Sequence, residues 1–220
     1  MTTFRKFWQE KPRTGYAEYF NDFLSASDYA AGNFTITTVE AGASSATEAV
    51  STAFAGGALV LTNDSADNDA DWLQTVGESF SFTLGKSTEF EIRFKLSDVT
   101  NTDFIAGLQI TDTTPMAVTD GVFFRKAEDD TYPDLVVCKN SVESVVALPD
   151  PLVDDTLVTL NFYYDGTDSV QAAVNGVRVA SLPITNLPDD ELLAISFGFA
   201  NGSAVAHVLT VDYIRAVLER

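Results

Sequence analysis

The chain has 220 residues, 45% of them hydrophobic and 20% charged, a size and mixture that suit one folded core and leave no case for global disorder. Its net charge of −19 argues against a nucleic-acid partner, because a polyanion is repelled by most of such a surface. The single cysteine, Cys138, excludes an intrachain disulfide, and no apolar run approaches the roughly 18–20 residues that a membrane-crossing helix needs.

The charge is placed unevenly. Residues 1–15 carry Arg5, Lys6, Lys11 and Arg13 against Glu10, a net of +3, whereas 9 basic and 31 acidic residues leave 16–220 at −22. The expected organisation is a basic, aromatic N-terminal arm over 1–15 and a β-sandwich domain over 16–220. In the arm, Phe4, Phe7 and Trp8 fit one face of a short helix that Pro12 stops. Arg5 and Lys6 are followed by no apolar stretch or small-residue cleavage site, so nothing marks the chain for classical secretion. No Lys or Arg occurs between Thr14 and Gly85. Within that acidic stretch, Ala41–Ala58 is rich in Ala, Gly, Ser and Thr and reads as a loop poor in strand.

Beyond it the periodicity is two. Phe80, Phe82 and Leu84 alternate with Ser79, Ser81 and Thr83. In Thr88–Ser97, Phe90, Ile92, Phe94 and Leu96 point one way while Glu89, Glu91, Arg93 and Lys95 point the other, the pattern of a half-buried antiparallel strand. Val158, Leu160, Phe162 and Tyr164 alternate likewise, as do Ile195, Phe197 and Phe199. Asn175-Gly176 between Ser169–Val174 and Val177–Leu182 predicts a hairpin, since both residues tolerate the positive φ of a type I′ turn. Leu187–Glu191 can form one helical turn, and Ser203–Ala216 reads as a closing strand. About a dozen short strands at regular spacing predict an all-β, antiparallel sandwich, with Phe90, Ile92, Phe94, Leu160, Phe162 and Phe197 in its core.

The stretch from Phe162-Tyr163-Tyr164-Asp165-Gly166 to Val174-Asn175-Gly176-Val177 resembles the hairpin of concanavalin A-like and laminin G-like jelly rolls. Leu209-Thr210-Val211-Asp212-Tyr213 resembles their last strand. Phe20-Asn21-Asp22-Phe23-Leu24, Gly107-Leu108-Gln109-Ile110-Thr111, Asp120-Gly121-Val122-Phe123-Phe124 and Asn186-Leu187-Pro188-Asp189-Asp190 are similar to segments of virion structural proteins of marine tailed phages. Together these segments span roughly Tyr19 to Ile214. The resemblance implies a jelly roll on the capsid exterior, a homotrimeric decoration or cement protein that stabilises the head by binding the major capsid protein. It carries no catalytic residue. On this reading Phe4, Arg5, Lys6, Phe7, Trp8, Lys11 and Arg13 form a capsid-binding arm, with the aromatics buried in the contact and the bases paired to capsid carboxylates. The alternative function is a carbohydrate-binding, lectin-like module on a phage appendage or cell surface, in which an aromatic such as Tyr163 stacks on a sugar.

The chemical inventory points away from catalysis, and the expectation is a chain that is not an enzyme and has no catalytic, cofactor or metal residues. His207 is the sole histidine and no Gly-x-Ser-x-Gly elbow exists, so a nucleophilic triad lacks parts. Glycosidases on this fold resemble Glu-x-Asp-x-Glu along one strand. The nearest match, Glu89-x-Glu91-x-Arg93, reads more simply as a solvated cross-strand salt-bridge ladder. Cys138 reads as a small buried hydrophobe. Asp64, Asp67, Asp69 and Asp71 offer the hard oxygens that suit Ca²⁺, with Glu78 at the twelfth position from Asp67. Trp72 stands where a calcium loop needs glycine, and a solvated acidic loop is the reading preferred.

Overall fold

The computed structural model describes residues 15–30, 32–42, 44–51 and 53–220, so every residue of the capsid-binding arm named above lies outside the described residues. Among the described residues fifteen strands follow one another: β1 (Tyr16–Asn21), β2 (Phe34–Val39), β3 (Thr47–Val50), β4 (Leu59–Thr62), β5 (Ala70–Thr75), β6 (Thr88–Leu96), β7 (Thr102–Gln109) and β8 (Gly121–Lys126). The second half holds β9 (Asp134–Lys139), β10 (Val142–Ala147), β11 (Val158–Tyr164), β12 (Ser169–Val174), β13 (Val177–Pro183), β14 (Ala194–Asn201) and β15 (Val208–Glu219). They make two antiparallel sheets packed as a jelly-roll sandwich, and the described helical pieces are three-residue 3₁₀ turns.

The eight-stranded sheet runs β13-β12-β11-β6-β15-β4-β3, with β1 also on β15; the seven-stranded sheet runs β10-β9-β8-β7-β14-β5-β2. β15 organises the first sheet. One of its edges pairs with β6 along its length, while the other pairs with β4 in its first half and β1 in its second. A bulge between Val211 and Tyr213 lets the strand keep both partners, because the extra residue resets the in-and-out alternation.

Period-two alternation puts the large apolar side chains between the sheets. Phe90, Ile92, Phe94, Leu160, Phe162 and Phe197 are all fully buried, as the alternation predicts. Phe94 of one sheet stacks on Phe104 of the other with centroids 4.2 Å apart, and Phe90 stacks on its strand neighbour Phe162 at 5.4 Å. Such ring pairs add about 0.5–1.5 kcal/mol beyond the area they bury. The Asn175-Gly176 hairpin forms, with φ of 50° and 78° at its two residues.

Four expectations differ in detail. Ser79–Leu84 contributes a lone bridge, Phe80 to Leu193, rather than a strand. Phe80 and Phe82 are buried, but Leu84 is 76% exposed, because a turn at Thr83–Lys86, tied to Gly166, carries it off the core. The helical turn expected at Leu187–Glu191 falls instead at Ile184–Asn186. Ala41–Ala58 contains the edge strand β3, and the closing strand starts at Val208 rather than Ser203.

Candidate functional site

Because directly paired residues share a face, strand register builds the outer surface of the eight-stranded sheet row by row. One row reads Phe20 (β1), Arg215 (β15), Glu91 (β6), Asn161 (β11). The next reads Glu18, Val217, Glu89, Tyr163, Gln171. A third sets Tyr213 beside Arg93 and Thr159. Aromatic rings thus stand among carboxylates, guanidinium groups and amides on one platform.

The polar groups are tied together. The Tyr213 hydroxyl donates to Glu91 Oε1 at 2.7 Å, and Arg215 Nε donates to Glu18 Oε1 at 2.7 Å. Arg93 Nη1 donates to Asp212 Oδ2 at 2.6 Å, an ion pair made by the bulge residue. Phe20, 52% exposed, lies against Tyr213 with ring centroids 5.9 Å apart. At the centre Glu89 is 3% exposed; Asn161 Nδ2 donates to its Oε1, and its Oε2 has no hydrogen-bond partner among the described residues. Burial pushes the Glu89 carboxyl up to about 8, against the opposing pull of the Asn161 bond. It therefore holds its proton at neutral pH. Burial, and then the surrounding carboxylates, raise the Tyr163 hydroxyl too.

Beside the platform, a groove of about 340 Å³ opens between β1 and the segment that follows β5. Glu18, Tyr19, Asn33, Ser79 and Phe80 line it, so Glu18 belongs to both the groove and the platform. This volume lies in the range of small-molecule sites.

The structure treats the other singled-out residues differently. The run of Glu89, Glu91, Arg93 and Lys95 occupies one face as expected and is partly solvated from Glu91 to Lys95, but Glu89 departs from a solvated ladder. Glu89 is buried, Arg93 pairs with Asp212, and Lys95 pairs with Asp155 across a loop at 2.8 Å. His207 is buried just before β15, its Nε2 3.1 Å from Ser203 Oγ. Cys138 is a buried hydrophobe whose thiol burial pushes up to about 11. The acidic stretch is not a solvated loop throughout, because Asp69 and Asp71 are wholly buried. Burial, and then the neighbouring Glu48, hold the Asp71 carboxyl well above the usual carboxylate range. Among the described residues no three His, Cys, Asp or Glu side chains gather as a metal-ligating group. Phe20, Glu18, Asn161, Tyr213 and Asp212 were not foreseen as site residues. Only the cross-strand register brings them together, although Asp212-Tyr213 stands in the closing strand already noted for its resemblance.

No family model matches the chain, and no curated protein matches it. Solved structures do. An endo-1,3-β-glucanase from Streptomyces sioyaensis superposes with a TM-score of 0.64 at 12% identity, over 95% of this chain and 98% of that one. The fold is the concanavalin A-like jelly roll. A family 16 mixed-linkage glucan hydrolase of Bacteroides ovatus gives 0.65 at 11% identity, over 89% and 98% of the two chains. The carbohydrate recognition domain of Emp46p in its potassium-bound form gives 0.57 at 11%, over 84% and 88%. Nothing in these comparisons shows a phage capsid protein. The expectation that the chain is not an enzyme is corrected, since the fold it adopts is one that glucanases use. Glu89, whose carboxyl burial holds protonated on an aromatic face, is the first residue of the Glu89-x-Glu91-x-Arg93 run read above as a ladder.

Proposed function

We propose that the chain recognises a carbohydrate, which lies across the outer face of the eight-stranded sheet with one end at the groove beside Glu18. The observation that carries this reading is the platform itself. Phe20, Tyr163 and Tyr213 supply flat apolar faces for sugar rings, while Glu91, Gln171 and Arg215 supply donors and acceptors for hydroxyls. The carbohydrate-active and carbohydrate-binding proteins that share the fold support it. A glycan array followed by calorimetry tests it. Selective binding that is lost in Tyr163→Ala and Gln171→Ala is the expected result; no binding to any glycan, or equal binding by both variants, refutes it. The same samples, assayed for new reducing ends on β-glucans, separate recognition from cleavage. Glu89 keeps its proton at neutral pH, the state a general acid needs, so any cleavage that occurs should vanish in Glu89→Gln.

The second reading is the decoration protein of a phage head, homotrimeric and bound to the major capsid protein on the virion exterior. It rests on the sequence resemblance and on the basic, aromatic residues of the arm. Co-sedimentation with empty capsids tests it, and loss of binding on deleting 1–15 is the expected result.

A further inference from the structure

Two buried side-chain atoms at the centre of the platform, Glu89 Oε2 and Asn161 Oδ1, lack a hydrogen-bond partner among the described residues. They belong to side chains that are already joined, since Asn161 Nδ2 donates to Glu89 Oε1. Asn161 is 2% exposed and Glu89 3% exposed, so water does not readily satisfy either atom. An ionised carboxylate and an amide oxygen can each only accept. With Glu89 charged, the pair would therefore keep two buried acceptors without a donor, a state that native structures seldom retain.

One proton removes both deficits. A carboxyl and a carboxamide are planar forks of similar size, and joining one arm of each brings the other two arms side by side. Protonated on Oε2, Glu89 donates to Asn161 Oδ1 while Asn161 Nδ2 donates to Glu89 Oε1, which closes a ring of two bonds. Exchanging the oxygen and nitrogen of the amide gives the same ring with the proton on the other carboxyl oxygen. We propose that Glu89 and Asn161 share one proton in a closed acid–amide pair, and that loss of this proton makes the centre of the platform a pH-sensitive switch. The neighbouring strands set its midpoint. Burial dominates; Glu91 on β6 and Glu18 on β1 oppose ionisation, and Arg215 on β15 favours it. Val217, paired with Glu89 on β15, is apolar, and β12 presents only Gln171 and Ala173 to the rows of Tyr163 and Asn161. The Tyr163 phenol, opposite Glu89 on β11, is itself raised by burial and then by Asp165, Glu89, Glu219 and Tyr16, so it stays neutral while Glu89 titrates. Because the Glu89 carboxyl is held up to about 8, the pair is closed at neutral pH and opens under mildly alkaline conditions. The charge on Oε2 then repels the amide oxygen, and the carboxylate turns toward water. Glu91, Arg215 and Tyr163 adjoin the pair, so opening disturbs side chains that a glycan would touch. That consequence rests on the carbohydrate reading; the shared proton does not.

Nuclear magnetic resonance of the full chain tests the pair. With glutamate carboxyls labelled by ¹³C, the signal missing from Glu89→Gln should titrate near 8 rather than near 4.5. Below that midpoint a slowly exchanging, low-field proton should give cross-peaks to the Asn161 amide protons. Asn161→Leu keeps the bulk but removes both bonding atoms, and should abolish the low-field signal while circular dichroism shows the fold unchanged. A carboxyl midpoint below about 6, close to that of an ordinary carboxyl, overturns the shared proton. So does the absence of the low-field signal, or its survival in Asn161→Leu. For a glycan found by array, affinity should fall at least about threefold from about pH 6 to about pH 9 in the natural protein and stay level in Glu89→Gln, which cannot ionise. A fall common to both proteins overturns the switch. An array without binders refutes the carbohydrate reading instead, and the resonance test decides the pair without it.

Discussion

Replacing Glu89 by glutamine should make the protein more stable at alkaline pH and leave it nearly unchanged at acid pH. The carboxyl that releases its proton near 4.5 in the unfolded chain keeps it to about 8 in the folded one, chiefly because burial disfavours the charge. Between those values the native state binds more protons than the unfolded state, so stability falls as pH rises, by up to about 1.4 kcal/mol for each pH unit. Over the whole interval the penalty reaches roughly 5 kcal/mol, a ceiling that is lowered where the side chain turns toward water once ionised. Glutamine keeps the acceptor for Asn161 and never ionises, so the penalty disappears. Urea unfolding of both proteins from about pH 5 to about pH 9 measures it, because groups remote from position 89 titrate alike in the two and cancel in the difference. The difference in unfolding free energy should be small below about pH 5 and grow in favour of the variant up to about pH 8. A difference that stays flat across this range refutes the burial of an uncompensated carboxyl at this position.

Phe94→Ala should lower stability by about 3–5 kcal/mol, since it removes a ring stacked against Phe104 at the centre of the sandwich; a loss under about 1 kcal/mol in equilibrium unfolding would contradict that burial. Gly107→Ala should destabilise by about 1–3 kcal/mol, because a Cβ there would stand 2.5 Å from Phe123 Cα and Cβ; an unchanged melting temperature would mean that β7 and β8 are not so close. Tyr213→Phe, which deletes the hydroxyl that donates to Glu91, should cost about 0.5–1.5 kcal/mol and weaken any glycan affinity measured for the platform, with calorimetry as the check.

The sequence by itself settled which side chains face the core and where several turns fall. Alternating apolar residues in Thr88–Leu96 and Val158–Tyr164 can serve only a strand with one face buried, and Asn175-Gly176 suits few structures besides a tight hairpin. The same alternation is silent about partners. It says that Glu89 points away from Phe90 but not that Arg215, Asn161 and Tyr163 stand around it, because β6 pairs with a strand more than a hundred residues later. Nor does a polar residue on the outer face announce its own burial, which depends on what the rest of the chain lays over it. Glu89 looked like a solvated acid for that reason, and Asp69 and Asp71 looked like an exposed loop although the fold encloses both. Only the tertiary structure decided these cases, since proton affinity and the need for a counter-charge follow from solvent exclusion and from neighbours distant in the chain.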